Sequence, residues 1–233
     1  MKSFLCYAIV LLFFSTVKAQ ESEEYRMEIG LNTGLMTYIG DFNSLIIRKM
    51  QPTIGVTANY NINPHMALNT LLMYGKIKGI STDEKTYYHK YVKSPWKFNN
   101  KLIDLSFSYQ YNFFAYGTGQ DYRGAKRFTP YLFGGIGISY LKYLIDEKKT
   151  AKQLFTANIP LGIGIKYKIG ERTNVGLTWT IHFTLSDKLD SQSDPYGIKS
   201  TGLFKNTDNF STLQLTLTYS FMVKCKTCHN DDE

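Results

Sequence analysis

The chain has 233 residues, a formal net charge of +8, 43% hydrophobic residues, and an aromatic load of 18 Tyr and 15 Phe beside 18 Gly. Removing the first nineteen residues leaves about 214, room for one domain and too few for two comfortable ones. So much Tyr is unusual in a soluble enzyme and suits a barrel whose strands cross a water–lipid interface. The charge runs are short, which argues against nucleic-acid binding and leaves acidic partners such as lipopolysaccharide phosphates.

Met1-Lys2-Ser3 is followed by an apolar run from Phe4 to Phe14 and then by Ser15-Thr16-Val17-Lys18-Ala19. A basic start, an apolar core and small residues at the −3 and −1 positions are what signal peptidase requires, so residues 1–19 read as a signal peptide cut between Ala19 and Gln20. Cys6 lies inside the apolar run without a lipoprotein cleavage context. No later stretch offers the roughly 18 to 20 apolar residues of a membrane helix.

Two-residue alternation recurs along the remainder and predicts strands at 25–39, 51–62, 65–79, 99–113, 129–143, 155–169, 173–186 and 211–223. The last shows the pattern best, with Leu213, Leu215, Leu217, Tyr219 and Phe221 on one face and Gln214, Thr216, Thr218 and Ser220 on the other. Alternation alone fits a soluble sandwich or a lipocalin-like barrel as well. These strands, however, approach or exceed the roughly 9 to 11 residues of a tilted membrane crossing, whereas ordinary strands average about 5 to 6. The expected fold is therefore all-β: an eight-stranded antiparallel transmembrane β-barrel of the OmpX/OmpA kind over 20–223, with a periplasmic tail at 224–233.

An even strand number places both termini on one side, the periplasm for an outer-membrane protein. Tight turns are expected at Asn61-Ile62-Asn63-Pro64 and Gly170-Glu171-Arg172-Thr173, with longer extracellular loops near 40–50, 80–98, 144–154 and 187–210. Segment 114–128 breaks this rule, being long although it lies on the turn side. Its Arg123, Lys126 and Arg127 suggest a periplasmic partner. Leu215 to Phe221, with Tyr219 and Phe221 as its aromatics, looks like the terminal signal read by barrel-insertion machinery.

Eight strands leave an interior that side chains fill. The inward set includes Asp104, Ser106, Ser108, Gln110, Thr178, Thr180, His182 and Thr184, and buried charges such as Asp104 and Lys166 call for ion-pair partners.

Chemistry has few candidates. Cys225-Lys226-Thr227-Cys228-His229 has the spacing of a covalent haem site. A tail with four residues after His229 cannot enclose a haem, and three ligands leave a zinc shell open. Cys225 and Cys228 read instead as a thiol pair in an oxidising compartment, forming a local bridge or a link to another chain. His182 with Asp104 is the one conceivable acid–base pair, and a hydrogen-bonded lumen histidine is the plainer reading. Neither a cofactor nor an enzymatic activity is expected. The loop aromatics Tyr87, Tyr88, Tyr91, Trp96 and Phe98 suit either a contact surface or an extension of the aromatic girdle.

Three stretches carry a resemblance: Tyr38-Ile39-Gly40-Asp41-Phe42-Asn43 after Glu28-Ile29-Gly30-Leu31, Pro130 to Gly137, and Ile159 to Tyr167. Together they resemble the PorG-like outer-membrane barrels of the Bacteroidetes type IX secretion system. The resemblance implies a non-enzymatic part of a secretion and gliding apparatus that touches a periplasmic ring of PorK and PorN type, with the tail cysteines and the 114–128 loop as natural contacts. The alternative is a free-standing surface barrel that binds ligands or host proteins through its extracellular loops.

Overall fold

A computed structural model describes residues 25–40, 43, 49–81, 97–117, 125–145, 150–186, 189 and 207–223. Eight strands run in chain order: β1 Tyr25–Ile39, β2 Gln51–Asn63, β3 Met66–Ile80, β4 Lys97–Asn112, β5 Phe128–Ile145, β6 Thr150–Lys168, β7 Thr173–Thr184 and β8 Asn209–Val223. Each pairs antiparallel with its neighbours, and β1 closes on β8 from Tyr25 opposite Val223 to Ile39 opposite Asn209. Closure satisfies every strand edge within the sheet, which is what lets strands sit in hydrocarbon.

The outer wall answers the question that alternation left open. Ile136 and Phe155 are each 70% exposed, and Leu31, Ile54, Ile163 and Leu217 also stand outward in the open. Inside are Glu28, Asn59, Asp104, Gln110, Lys166 and His182, all buried. A water-soluble barrel would invert this arrangement, whereas a barrel with apolar side chains outside and polar ones inside spans a membrane. Among the described residues no helix is long and apolar enough to cross one.

Some boundaries differ from expectation. The β2–β3 turn falls at Pro64-His65, two residues later than predicted, because β2 continues through a bulge between Asn61 and Asn63. The supposed loop at 144–154 is mostly strand: β5 and β6 stay paired out to Ile145 opposite Thr150. The sequence over 144–151 does not alternate apolar with polar residues, so this pairing has no pattern to reveal it. Phe98 is corrected too. It points inward from β4 and packs edge-on against Tyr38, with ring centroids 5.0 Å apart, so it belongs to neither a loop surface nor a girdle.

Candidate functional site

The interior is built in three storeys. At the loop end Met36, Tyr38, Met73, Phe98, Leu102 and Phe210 form an apolar plug, joined by Leu189 from the β7–β8 connection. Leu189 is held by its backbone: its N–H donates to Asp208 Oδ2 at 2.9 Å and its carbonyl accepts from Asn100 Nδ2 at 2.6 Å. The Tyr38 hydroxyl donates to the other oxygen of Asp208. A loop segment thus enters the barrel mouth and is fastened there.

Below the plug lies the pair singled out from the sequence. His182 Nδ1 stands 3.8 Å from Asp104 Oδ2, both side chains fully buried, and the imidazole stacks on Phe210 at 4.2 Å. Asp104 Oδ1 accepts from Ser139 Oγ at 2.6 Å and from Asn158 Nδ2 at 2.5 Å. The neighbouring cavity, bordered by Ser106, Ser108, Gln110, Thr178 and Gln214, measures about 40 Å³ and has room for only a few water molecules. A general base needs a reacting group within hydrogen-bond reach. Asp104 thus ties β4 to β5 and β6, whereas neither ring nitrogen of His182 has a hydrogen-bond partner among the described residues, so the hydrogen-bonded lumen histidine expected from the sequence is corrected to a buried ring stacked on Phe210.

The turn-side storey is charged. Glu28 on β1 accepts from Asn61 Nδ2 at 2.9 Å, Asn59 Nδ2 at 3.1 Å and Thr218 Oγ1 at 3.4 Å, and Lys166 Nζ lies 3.9 Å away. This supplies the ion pair that Lys166 required. Glu28 escaped the inward set read from the sequence, although its parity with Gly30 and Asn32 on β1 would have placed it there.

Segment 114–128 returns over this end. Tyr116 N–H donates to the Pro64 carbonyl at 3.0 Å, Lys126 N–H to the Ala115 carbonyl at 2.7 Å, and Asn112 Nδ2 to the Pro64 carbonyl at 3.1 Å. The Tyr116 hydroxyl reaches into the barrel end to Asn174 Oδ1 at 2.9 Å. Burial, and then the Glu28 carboxylate nearby, push the Tyr116 phenol above its ordinary range, so it remains a donor at any physiological pH.

Of the three basic residues expected to meet a partner, Lys126 and Arg127 are exposed on the turn-side rim, with Lys126 Nζ 4.4 Å from the centre of the Phe114 ring. Arg123 lies outside the described residues, as do Ala19, Gln20, Cys225, Cys228 and the aromatics Tyr87, Tyr88, Tyr91 and Trp96. Tyr219 is half exposed on β8 and accepts from Arg172 Nη1 at 3.3 Å, while Arg172 Nε donates to the Tyr25 hydroxyl at 2.9 Å. Arg172 therefore ties the β6–β7 turn to both strands of the closing seam. Phe221 is half-buried beside Met222, whose φ of 61° turns the end of β8 out of regular strand geometry.

Comparison with known proteins agrees with this architecture. Neisserial surface protein A is similar to the chain at a TM-score of 0.52 and 10% identity, covering 84% of this chain and 97% of that one. Ail, the attachment invasion locus protein of Yersinia pestis, reaches 0.47 and 11%, covering 86% and 99%. A major outer membrane protein of Thermus thermophilus reaches 0.46 and 12%, covering 84% and 99%. At such identities the first likeness speaks for the fold alone. No curated protein matches in sequence. Residues 2–230 match the family model described as "Domain of unknown function (DUF6089)", and the chain belongs to that family.

Proposed function

We propose that this member of the DUF6089 family is a non-enzymatic barrel of the bacterial outer membrane that anchors or docks the periplasmic ring of a type IX secretion apparatus. In this reading residues 1–19 direct export, the turn-side face and both termini lie in the periplasm, and the tail at 224–233 reaches toward the ring. The observation that carries it is the build of the turn-side rim. A membrane barrel with a plugged interior acts through its surfaces, and the longest turn-side connection is fastened by Tyr116 so that Lys126 and Arg127 stand exposed. The stretch from Tyr38 to Asn43 and its companions, similar to PorG-like barrels, support the choice of apparatus and of PorK- and PorN-like partners.

The test is a deletion strain complemented with wild type or with an Arg123→Glu/Lys126→Glu/Arg127→Glu variant. Cargo retained in the periplasm on deletion, and a variant that reaches the outer membrane but no longer co-purifies with the ring proteins, are the expected results. Normal secretion in the deletion strain would refute the role. Reducing against non-reducing electrophoresis, with a Cys225→Ala/Cys228→Ala variant alongside, tells a local bridge from a covalent link to a ring protein.

The projecting β5–β6 hairpin, 18 and 19 residues to a strand, supports a second reading as a surface barrel that binds ligands or host proteins on its loop side. Trimming that hairpin would then abolish binding and leave secretion untouched.

A further inference from the structure

The outer wall carries one charged feature that neither the interior nor the turn-side rim explains. Lys76 on β3 lies directly opposite Lys101 on β4, and Lys101 directly opposite Lys142 on β5. Lys78 and Lys97 extend the group along β3 and β4. Lys76, Lys101 and Lys142 are exposed, and among the described residues no carboxylate pairs with any of the three. Like charges directly opposite one another across a sheet oppose pairing. Three in a row, with neighbouring strands roughly 4.8 Å apart, concentrate positive charge within about 10 Å. Such a row calls for a counter-ion from outside the chain.

Its height on the barrel says which one. On β3 the outward residues are Met66, Leu68, Thr70, Leu72 and Tyr74, uncharged and apolar but for Thr70, and Lys76 comes next. On β4 they run from Tyr111 through Tyr109, Phe107 and Leu105 to Ile103, with Lys101 next. Each run spans nine residues, the length of a tilted strand in hydrocarbon at roughly 9 to 11 residues. On β5 Lys142 likewise follows Tyr140, which packs on Phe155 at 4.8 Å. The lysines therefore stand one pleat beyond the apolar belt on the loop side, at headgroup level. Outward residues in the loop-side half of β1, β2, β7 and β8, such as Leu35, Ile54, Phe183 and Leu213, carry no charge.

The geometry points to a binding site for the phosphate groups of an acylated, phosphorylated glucosamine lipid of the lipid A class. Its acyl chains lie along the belt below, and its phosphates bridge Lys76, Lys101 and Lys142. The site rests on the outer-membrane placement proposed above and is independent of the secretion role.

The test refolds the full chain into phosphatidylcholine vesicles containing a minor fraction of bisphosphorylated lipid A, extracts it in mild detergent, and counts retained lipid by native mass spectrometry. Loss of charge-assisted contacts in a Lys76→Gln/Lys101→Gln/Lys142→Gln variant is expected to lower retention about tenfold. The Lys→Arg triple variant keeps it, and dephosphorylated lipid A is retained as poorly as by the Gln variant. Heat-modifiable mobility confirms folding, and Lys101→Gln alone, at the centre of the row, gives the same direction should the triple variant not fold. Equal retention by wild type and the Gln variants, equal retention of dephosphorylated lipid, or displacement by millimolar inorganic phosphate would each overturn the assignment.

Discussion

Glu28→Ala is the substitution whose consequence the interior defines most sharply. Glu28 is 1% exposed, accepts hydrogen bonds from Asn59, Asn61 and Thr218, and faces the buried ammonium of Lys166. Removing the carboxylate strands a buried cation and three donors together, so the loss should reach about 3 to 5 kcal/mol, the usual cost of breaking a buried pair from one side. With a urea slope of about 2 kcal/mol/M, the unfolding midpoint of the vesicle-inserted barrel falls by roughly 2 M. The reverse change, Lys166→Met, should cost less, because Glu28 keeps its three donors. Glu28→Gln/Lys166→Met removes both charges while keeping an acceptor and the volume, and should recover to within about 1 kcal/mol of wild type. The assay is urea titration followed by heat-modifiable mobility, with all four proteins in the same vesicles. A Glu28→Ala barrel within about 1 kcal/mol of wild type would refute the claim that this ion pair holds the turn-side storey together.

Leu189→Asp places a carboxylate in the apolar plug beside Asp208, and burying an unpaired charge there should free the 185–208 connection from the barrel mouth. Limited proteolysis from the loop side would then cut this connection in the variant and spare the wild type, and equal cutting of the two would count against the fastening. Gly135 sits opposite Ser108 where a Cβ would overlap the Phe107 carbonyl oxygen. Gly135→Val should cost about 1 to 3 kcal/mol by overpacking, seen as a lower urea midpoint. An unchanged midpoint would mean that β4 and β5 can separate freely.

The eight strands were legible because lipid and lumen impose opposite demands on successive residues. Wherever both demands act, as from Leu213 to Phe221 or from Ile159 to Tyr167, sequence and structure agree. The reading loosened where one demand lapses. Over 144–151 the sequence does not alternate apolar with polar residues, so the pairing of β5 with β6 there leaves no period-two signature. Phe98 departs from expectation because an aromatic at a strand's loop end normally signals the interface, and here the barrel mouth is itself apolar inside. The sequence shows that an inward Lys166 needs a partner, but the partner lies on β1, far from β6 in sequence. Inward parity narrows the acid to a few positions, and only register around the closed sheet selects Glu28. The lysine row was illegible for the same reason: Lys76, Lys101 and Lys142 are unremarkable singly, and cross-strand register makes them neighbours.

The vertical grading of the interior bears on what the barrel can do. An aqueous pore needs a continuous polar path, yet the polar middle ends at the loop side against Tyr38, Phe98, Leu102 and Phe210 and at the turn side against Tyr116. Opening the first end requires withdrawing Leu189, with its backbone bonds to Asn100 and Asp208; opening the second requires breaking the bonds of Tyr116 to Asn174 and Pro64. Each closure couples a loop to the strands it covers, so both make the wall more rigid while they block it. A rigid, plugged cylinder offers a membrane three usable surfaces: two rims and an outer belt. Among the described residues two of the three carry marked positive charge, with Lys126, Arg127 and Arg172 on the turn-side rim and Lys76, Lys101 and Lys142 at the loop-side edge of the belt. If the proposed lipid site and the proposed turn-side docking both hold, lipid fixed on β3 to β5 sets the rotation of the barrel about its axis, and the lysine variants should then weaken ring co-purification as well as lipid retention.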